Sequence, residues 1–344
     1  MFISIKLHKD HLYYSLCILK EKYKAHKTIG NQNNHLGLPL TILSLEEDNE
    51  VLVLEMGMNH LGEISYLTSI AKPDVAIITN VGTAHIGNLG SRENILKAKL
   101  EILEGLNPNG VLIINNDNDL LHKWYLENKD KYHIITIGIY NKSDYMANII
   151  EKNEWSSTFS CNNVIYKVPV GGEHFIYNAL AGVATGKEFN VSDEEIKDGI
   201  LNFELSSNRM SLITTNGYTI IDDSYNANFD SMSYAIKYLG SLSGRSIAVL
   251  GTMKELGSYS EDLHKKIGIV VKNEKIDILV TVGDEASYIN EGAIEAGYNK
   301  ENSYHFKDNK TAIEFINTIK KQEDNILVKA SNSMNFKKIV DSIK

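Results

Sequence analysis

The stretch VLVLEMGMNHLGEISYLTSIAKPDVAIITNVG, residues 51–82, decides the fold class. It opens on a run that is apolar on successive residues and rich in Val and Leu. It passes through GEISYLTSIAK, whose apolar residues recur at helical spacing. It closes on a second apolar run, VAIITNVG. Such runs suit strands covered on both faces, and strand alternating with helix means a parallel α/β sheet. The same alternation continues outward. Further runs are GVLIINND (110–117), IITIGI (134–139), YTIIDDSY (218–225), SIAVLGTM (246–253), ILVTVGD (278–284) and ILVKAS (326–331). Helical patterns lie between them in ENILKAKLEILEGL, SMSYAIKYLGSL and HKKIGIVVKN. Segment 140–170 departs from the alternation and reads as a few antiparallel strands with turns, an excursion of the first domain. A boundary is expected near LSSNRMSLITTNG (205–217), where a new strand–helix series begins. The reading is two α/β domains, residues 1–207 and 208–344, each built on a mostly parallel sheet.

Composition narrows the function classes. The chain has 344 residues, 43% apolar and 23% charged, with only 4 Pro, as ordinary globular proteins do. Two cysteines, Cys17 and Cys161, exclude a disulfide scaffold and a zinc ribbon. Net charge is 35 minus 44, or −9, which argues against phosphate-backbone binding and so against a nucleic-acid partner. No apolar run approaches the ~20 residues of a membrane span. The N-terminus lacks the uninterrupted apolar core of a signal peptide, so a cytoplasmic location is expected.

Several apolar runs end on a polar residue: Glu55, Asn80, Asn115, Asp222, Asp223 and Asp284. Ligands of open α/β sheets bind outside the carboxyl ends of the strands, which makes these residues site candidates. Taken singly, any one of them is more readily a strand-terminating turn residue. Six segments carry the densest chemistry. KTIGNQNNHLGLPLTIL (27–43) crowds Asn31, Asn33 and Asn34 with Gly30 and Gly37 into one loop. That loop suits either an anionic or sugar ligand or an ordinary Asn/Gly turn. LEMGMNHLGEI (54–64) places the Glu55 carboxylate at a strand tip, a fitting Mg²⁺ ligand. ITNVGTAHIGNLGS (78–91) places His85 in a Gly-rich loop, and SRENILKAKLEILEGL (91–106) is an amphipathic helix with Lys97 and Lys99. IIDDSYNANFDSM (220–232) packs Asp, Ser, Tyr and Asn after a strand. VLGTMKELGSYSEDLHKKIG (249–268) adds Lys254, Glu255 and His264.

In this order the six segments resemble the Mur ligases of peptidoglycan synthesis, over nearly the whole chain from about residue 12. KTIGNQNNHLGLPLT is similar to the family's Thr-x-Gly-Asn-x-Asn-Asn-x-x-Gly-x-Pro segment. DDSYNAN and LGTMKELG resemble the blocks of its D-alanyl-D-alanine-adding branch. The resemblance implies a central ATP-binding domain followed by a Rossmann-like C-terminal domain. It implies an ATP-dependent ligase whose substrates are UDP-N-acetylmuramoyl-tripeptide and D-alanyl-D-alanine. ATP would phosphorylate the tripeptide carboxylate and the dipeptide amine would displace phosphate, giving an amide. The cofactors implied are ATP and Mg²⁺, and the chain is expected to be a monomer. By position, Glu55, His85 and Lys99 match the metal-binding and catalytic set, with Lys99 as a carbamate. Asn178 matches an Asn near the adenine, while Arg209 and Asp223 match nucleotide contacts. Asn226 and Asn228 match the surroundings of the incoming dipeptide.

The sequence also departs from the family. The expected phosphate loop, Gly-x-x-Gly-Lys-Thr, is replaced by the glycine-free FISIKLHKDHLYYSL, with His8-Lys9-Asp10 at the key positions. GVATGKE (182–188) and GSLSGRS (240–246) have the wrong spacing to substitute for it. Phe175 and Phe229 stand where Asn and Pro are usual. Ala330 and Asn332 stand where Gly and Arg are usual, with Lys329 and Ser331 kept. The chain is expected to lack the family's N-terminal UDP-binding domain, its first central strand and its phosphate loop. A missing first strand would leave an unpaired sheet edge and poor solubility. Three readings follow: an impaired ligase, a catalytically inactive remnant, or a non-enzymatic binding module.

Overall fold

In the computed structural model, residues 2–6, 9–153, 155–203 and 208–344 are described, with side chains from Leu12 onward. They divide into two compact units. The first comprises Met1–Val81 and Leu89–Glu204, the second Gly82–Asn88 and Leu205–Lys344.

The first unit holds β1 (Phe2–Lys6), β2 (Ala25–Lys27), β3 (Val51–Glu55), β4 (Val75–Ile78), β5 (Val111–Asn115), β6 (Ile134–Gly138) and β7 (Tyr145–Met146). They form one parallel sheet in the order β2-β3-β1-β4-β5-β6-β7. The runs expected to be strands are buried at every position of β4 and β5, because helices cover both faces. Those helices are α1 (Lys9–Lys20), α2 (Gly37–Leu43), α3 (Glu63–Ala71), α4 (Ile86–Leu89, which spans the division), α5 (Arg92–Leu100), α6 (Asp119–Asn128), α7 (Glu173–Glu188) and α8 (Asp193–Leu201). The 140–170 excursion contains β8 (Asn148–Lys152), β9 (Ser157–Cys161) and β10 (Val164–Val168), a separate antiparallel sheet in the order β10-β9-β8.

One expectation is corrected here. The first strand is not lost. β1 sits between β3 and β4, with Ser4 level with Leu54 on one side and Ala76 on the other. The slot presents unpaired backbone groups from both neighbours, and the apolar run FISI satisfies both rows. Strand pairing needs backbone and apolar side chains, not the glycine loop that the family resemblance leads one to expect next. The unpaired edge expected from a missing first strand is therefore not left, and that reason for expecting poor solubility goes with it. Only Leu7 and His8 separate β1 from α1, and they lie outside the described residues, as do the side chains of Lys9 and Asp10. The look-alike GVATGKE lies inside α7, where its glycines serve packing. A Cβ at Gly182 or Gly186 would come within 2.8 Å of the Ile18 side chain of α1.

The second unit holds β11 (Ser211–Thr215), β12 (Tyr218–Asp222), β13 (Ser246–Gly251), β14 (Ile278–Val282), β15 (Ser303–Phe306) and β16 (Asn325–Lys329). Its sheet order is β11-β12-β16-β13-β14-β15, parallel except for β11. Its helices are α9 (Phe229–Ser241), α10 (Ser260–Asn273), α11 (Ser287–Glu295), α12 (Asn309–Ile319) and α13 (Lys337–Ile343). Ile220, Ile247, Val280 and Ile326 pack with Ala312 and Ile316 of α12 and Ile339 and Val340 of α13. The opposite parity, Ile221, Ala248, Leu279 and Leu327, is equally buried, and α9 and α11 pack on the sheet. This is the Rossmann-like layout expected of the second domain. No helix among the described residues is long and apolar enough to cross a membrane.

Candidate functional site

All strands of the first sheet run the same way, so their carboxyl ends share one edge. β1 lies in the middle, and the chain builds outward from it on both sides. That switch point is where open α/β sheets bind ligands. Ile5 of β1 is level with Glu55, and Lys6 with Ile78. The tips of β3 and β4 therefore flank the end of β1.

At the β3 tip, the Asn-rich loop folds back over the strand. The Glu55 N–H donates to Thr28 Oγ1 at 2.9 Å, and Asn33 Nδ2 donates to Glu55 Oε1 at 2.9 Å. The Gly57 N–H donates to the Asn33 carbonyl at 2.7 Å. A Cβ at Gly57 would sit 2.9 Å from the Asn33 amide and would push it off Glu55. Asn34 Oδ1 accepts from the Leu36 and Gly37 N–H groups at 3.1 and 2.9 Å and starts α2. Asn33 and Asn34 are thus engaged inside the fold, one of them orienting Glu55.

At the β4 tip, Lys99 is only 4% exposed and its ammonium donates to the Asn80 carbonyl, whereas Lys97 faces solvent. Asn118 Nδ2 donates to Asn80 Oδ1 at 2.9 Å, while Asn118 Oδ1 caps α6. Arg92 holds the Val81 carbonyl at 2.8 Å and both Asp119 oxygens at 2.5 and 2.9 Å. The Arg92 guanidinium holds the Asp119 carboxyl below the usual range. Asn178 lies on α7, 7% exposed, and its side chain makes no hydrogen bond among the described residues. Gly182 packs against Tyr14 and Gly186 against Ile18, so α7 runs parallel to α1. One turn before Gly182, Asn178 is level with the first turn of α1.

In the second unit, polar groups gather at the ends of β12 and β16. Lys329 Nζ donates to Asp223 Oδ2 at 2.5 Å and to the Asn226 carbonyl at 2.9 Å. Burial pushes the Asp223 carboxyl up, against the opposing pull of Lys329 and Arg209. Asp222 is held by Ser224 Oγ at 2.6 Å and Lys337 Nζ at 2.9 Å. The Arg209 guanidinium lies over the Tyr225 ring, 4.2 Å from its centre. Asn226 Oδ1 accepts from the Asn332 N–H at 3.4 Å. Asn228 caps α9 in a reciprocal box with Ser231. His264 is buried and neutral. Its Nε2 accepts from the Met253 N–H at 2.9 Å, its Nδ1 meets the Ser260 carbonyl at 2.7 Å, and burial lowers its pKa.

His85 counts with the second unit, and the anchors of its loop explain why. Thr83 N–H and Oγ1 both donate to Asp230 Oδ2, at 2.8 and 3.0 Å. The Gly87 N–H donates to the Glu255 carbonyl at 2.9 Å, and His85 Nδ1 meets Glu255 Oε2 at 2.5 Å. His85 and Glu255 both hold left-handed backbone, at φ 63 and 64. That conformation is costly for a residue with a side chain and clusters at functional sites. A carboxylate on Nδ1 leaves Nε2 as the outward ring nitrogen.

The first unit thus brings Glu55 and Lys99 to one sheet edge. The second brings together Arg209, Asp223 and Asn226. The pairing of Lys329 with Asp223, the anchoring of Thr83 on Asp230 and the clasp of His85 by Glu255 were not legible beforehand. A lysine closing the apolar run ILVK was the one available signal for the first. Among the described residues no group of three or more His, Cys, Asp and Glu side chains could hold a metal ion.

Two family models match the chain. The Mur ligase middle domain covers residues 11–186, and the Mur ligase glutamate ligase domain covers residues 208–332. The chain belongs to the Mur ligase family. Among its relatives, the UDP-N-acetylmuramoyl-tripeptide--D-alanyl-D-alanine ligase of Bacillus subtilis is 38% identical over 95% of this chain and 71% of its own length. The crystal structure of MurF from Acinetobacter baumannii matches at TM-score 0.91 and 31% identity, covering 99% of this chain and 76% of that one. MurF from Thermotoga maritima, solved in complex with ADP, matches at TM-score 0.86 and 26% identity, covering 100% and 79%.

Proposed function

We propose that this chain is an ATP-dependent amide ligase of the D-alanyl-D-alanine-adding kind, acting in the cytoplasm as a monomer on UDP-N-acetylmuramoyl-tripeptide. We read residues 1–207 and 208–344 as its two domains. The observation that carries the proposal is the edge where Glu55 ends β3 and buried Lys99 reaches the tip of β4. Glu55 keeps one carboxylate oxygen beyond the one Asn33 occupies, and Mg²⁺ needs few protein oxygens because it retains waters. The buried Asn178 amide, without a hydrogen bond among the described residues, fits a purine edge, since a carboxamide offers a donor and an acceptor to adenine. ATP and Mg²⁺, when bound, supply the activation of the tripeptide carboxylate. In this reading Glu55 offers a metal ligand in the first unit, and Lys99 offers another once its amine has combined with CO₂, releasing a proton and leaving an anionic carbamate. His85, in the second unit, offers its outward ring nitrogen as a ligand. Arg209 and Asp223 contact the nucleotide. Asn226 lines the dipeptide site, and Asn228 shapes it by fixing the start of α9.

The glycine-free start of the chain favours a second reading, an impaired or inactive member. A phosphate loop supplies backbone N–H donors, and losing even one such donor can cost ~3–4 kcal/mol of transition-state stabilisation. The test is phosphate release by the purified chain with ATP, Mg²⁺ and both substrates, with Lys99→Ala as control. Release that needs both substrates and disappears in the control supports the ligase. No release rejects it in favour of the inactive reading.

A further inference from the structure

The loop after β5 carries a carboxylate that none of the roles above uses. Asp117 Oδ2 accepts from the Ile139 and Tyr140 N–H groups at 2.6 and 3.0 Å, and Oδ1 from the Asn141 N–H at 2.6 Å. The Tyr177 hydroxyl of α7 also donates to Oδ2, at 2.8 Å. Burial first, and then the adjacent carboxylate, push the Tyr177 pKa up, so its proton stays in place to donate. The loops after β5 and β6 are laced further by Asn141 Nδ2 to the Asn116 carbonyl at 2.7 Å and Asn116 Nδ2 to the Lys142 carbonyl at 2.9 Å. Tyr177 ties this lacing to α7. The start of α7 has no side-chain cap at Gly172, whose φ is 116.

Asn178 is the next residue. Neighbours on a helix are ~100° apart, so fixing the azimuth of Tyr177 fixes that of Asn178. An amide about 5 Å from the helix axis moves about 1 Å for a 10° rotation. A displacement of that size is enough to spoil a two-bond contact with a base. We infer that Asp117 and Tyr177 form a positioning pair that aims Asn178 at an adenine base and thereby sets the preference for adenine over guanine nucleotides. This rests on the reading of Asn178 as a base contact.

The test titrates the full chain with ADP and with GDP, for the wild type, Tyr177→Phe, Asp117→Asn, Asn178→Ala and the Tyr177→Phe/Asn178→Ala double variant. Loss of one hydrogen bond to a charged acceptor is expected to weaken ADP binding about tenfold while leaving GDP binding unchanged. Because Tyr177 acts through Asn178, the double variant should bind ADP no worse than Asn178→Ala alone. A lowered melting temperature with an unchanged ADP-to-GDP ratio would overturn the pair and leave Asn178 as a base contact. Additive losses in the double variant would do the same. A wild type without ADP preference would overturn the base-contact reading and the pair with it. Asp117→Asn keeps the side-chain size, so the ratio remains measurable should Tyr177→Phe not fold.

Discussion

Removing one partner of the Lys329–Asp223 pair should be far more damaging than removing both. The pair closes the ends of β16 and β12. Lys329 is 2% exposed and Asp223 8%, so water screens little of their attraction. Lys329 keeps only the Asn226 carbonyl, at 2.9 Å, when Asp223 is neutralised. Asp223 still feels Arg209 when Lys329 is lost. Leaving an uncompensated buried charge costs about 3–5 kcal/mol. Asp223→Asn should therefore lie near the top of that range and Lys329→Met near the bottom. For a unit of roughly 150 residues, each kcal/mol moves the melting temperature by about 4 °C, so calorimetry should show drops of about 12–20 °C. The double variant Asp223→Asn/Lys329→Met should recover most of the loss, because a buried pair is often close to neutral against uncharged replacements. A single variant that costs under about 1 kcal/mol would mean a solvated pair, since that is the worth of a surface ion pair. The burial argument would then be refuted.

The other expectations concern neighbouring parts. His264 has a folded pKa below its unfolded value, so the unfolded chain takes up the proton first. Its contribution to stability is complete above about pH 6.5 and is lost as pH falls. Urea midpoints of His264→Gln should accordingly show a shallower pH slope below 6.5 than the wild type, and parallel slopes would contradict the neutral-His assignment. Gly268→Ala would drive a Cβ into the backbone of Ile289 and Ala293, where α10 crosses α11, and should cost about 1–3 kcal/mol or more by denaturant titration. At Gly87 a Cβ would lie 2.6 Å from the Glu255 carbonyl and from the Gly257 nitrogen. Gly87→Ala should therefore release the His85–Glu255 clasp, as should Glu255→Gln more gently. Nitrogen NMR of the imidazole reads the change, and unaltered His85 shifts in both variants would reject the clasp.

The structure also revises what the chain's start means. The family resemblance expects a glycine loop and a first strand together, and only the strand is present. They answer to different physics. β1 is held by two rows of backbone hydrogen bonds that any apolar run of five residues can make. Phosphate binding needs close backbone approach, which glycine makes easiest, and FISIKLHKD carries no glycine.

The amino-acid sequence by itself determined the elements and their coverage. All eight apolar runs became buried parallel strands, because a run apolar on both parities is stable only with helices on both faces. It also determined which strands end in polar groups, since a carboxylate or amide cannot extend a buried run without a partner. Only the tertiary structure decided which of those groups meet. Glu255 lies 170 residues from His85, Lys329 lies 106 from Asp223, and Tyr177 lies 60 from Asp117. Periodicity tells a side chain which face it occupies. It carries no record of which strand becomes its neighbour, because strand order follows from how helices and edges pack across the whole chain.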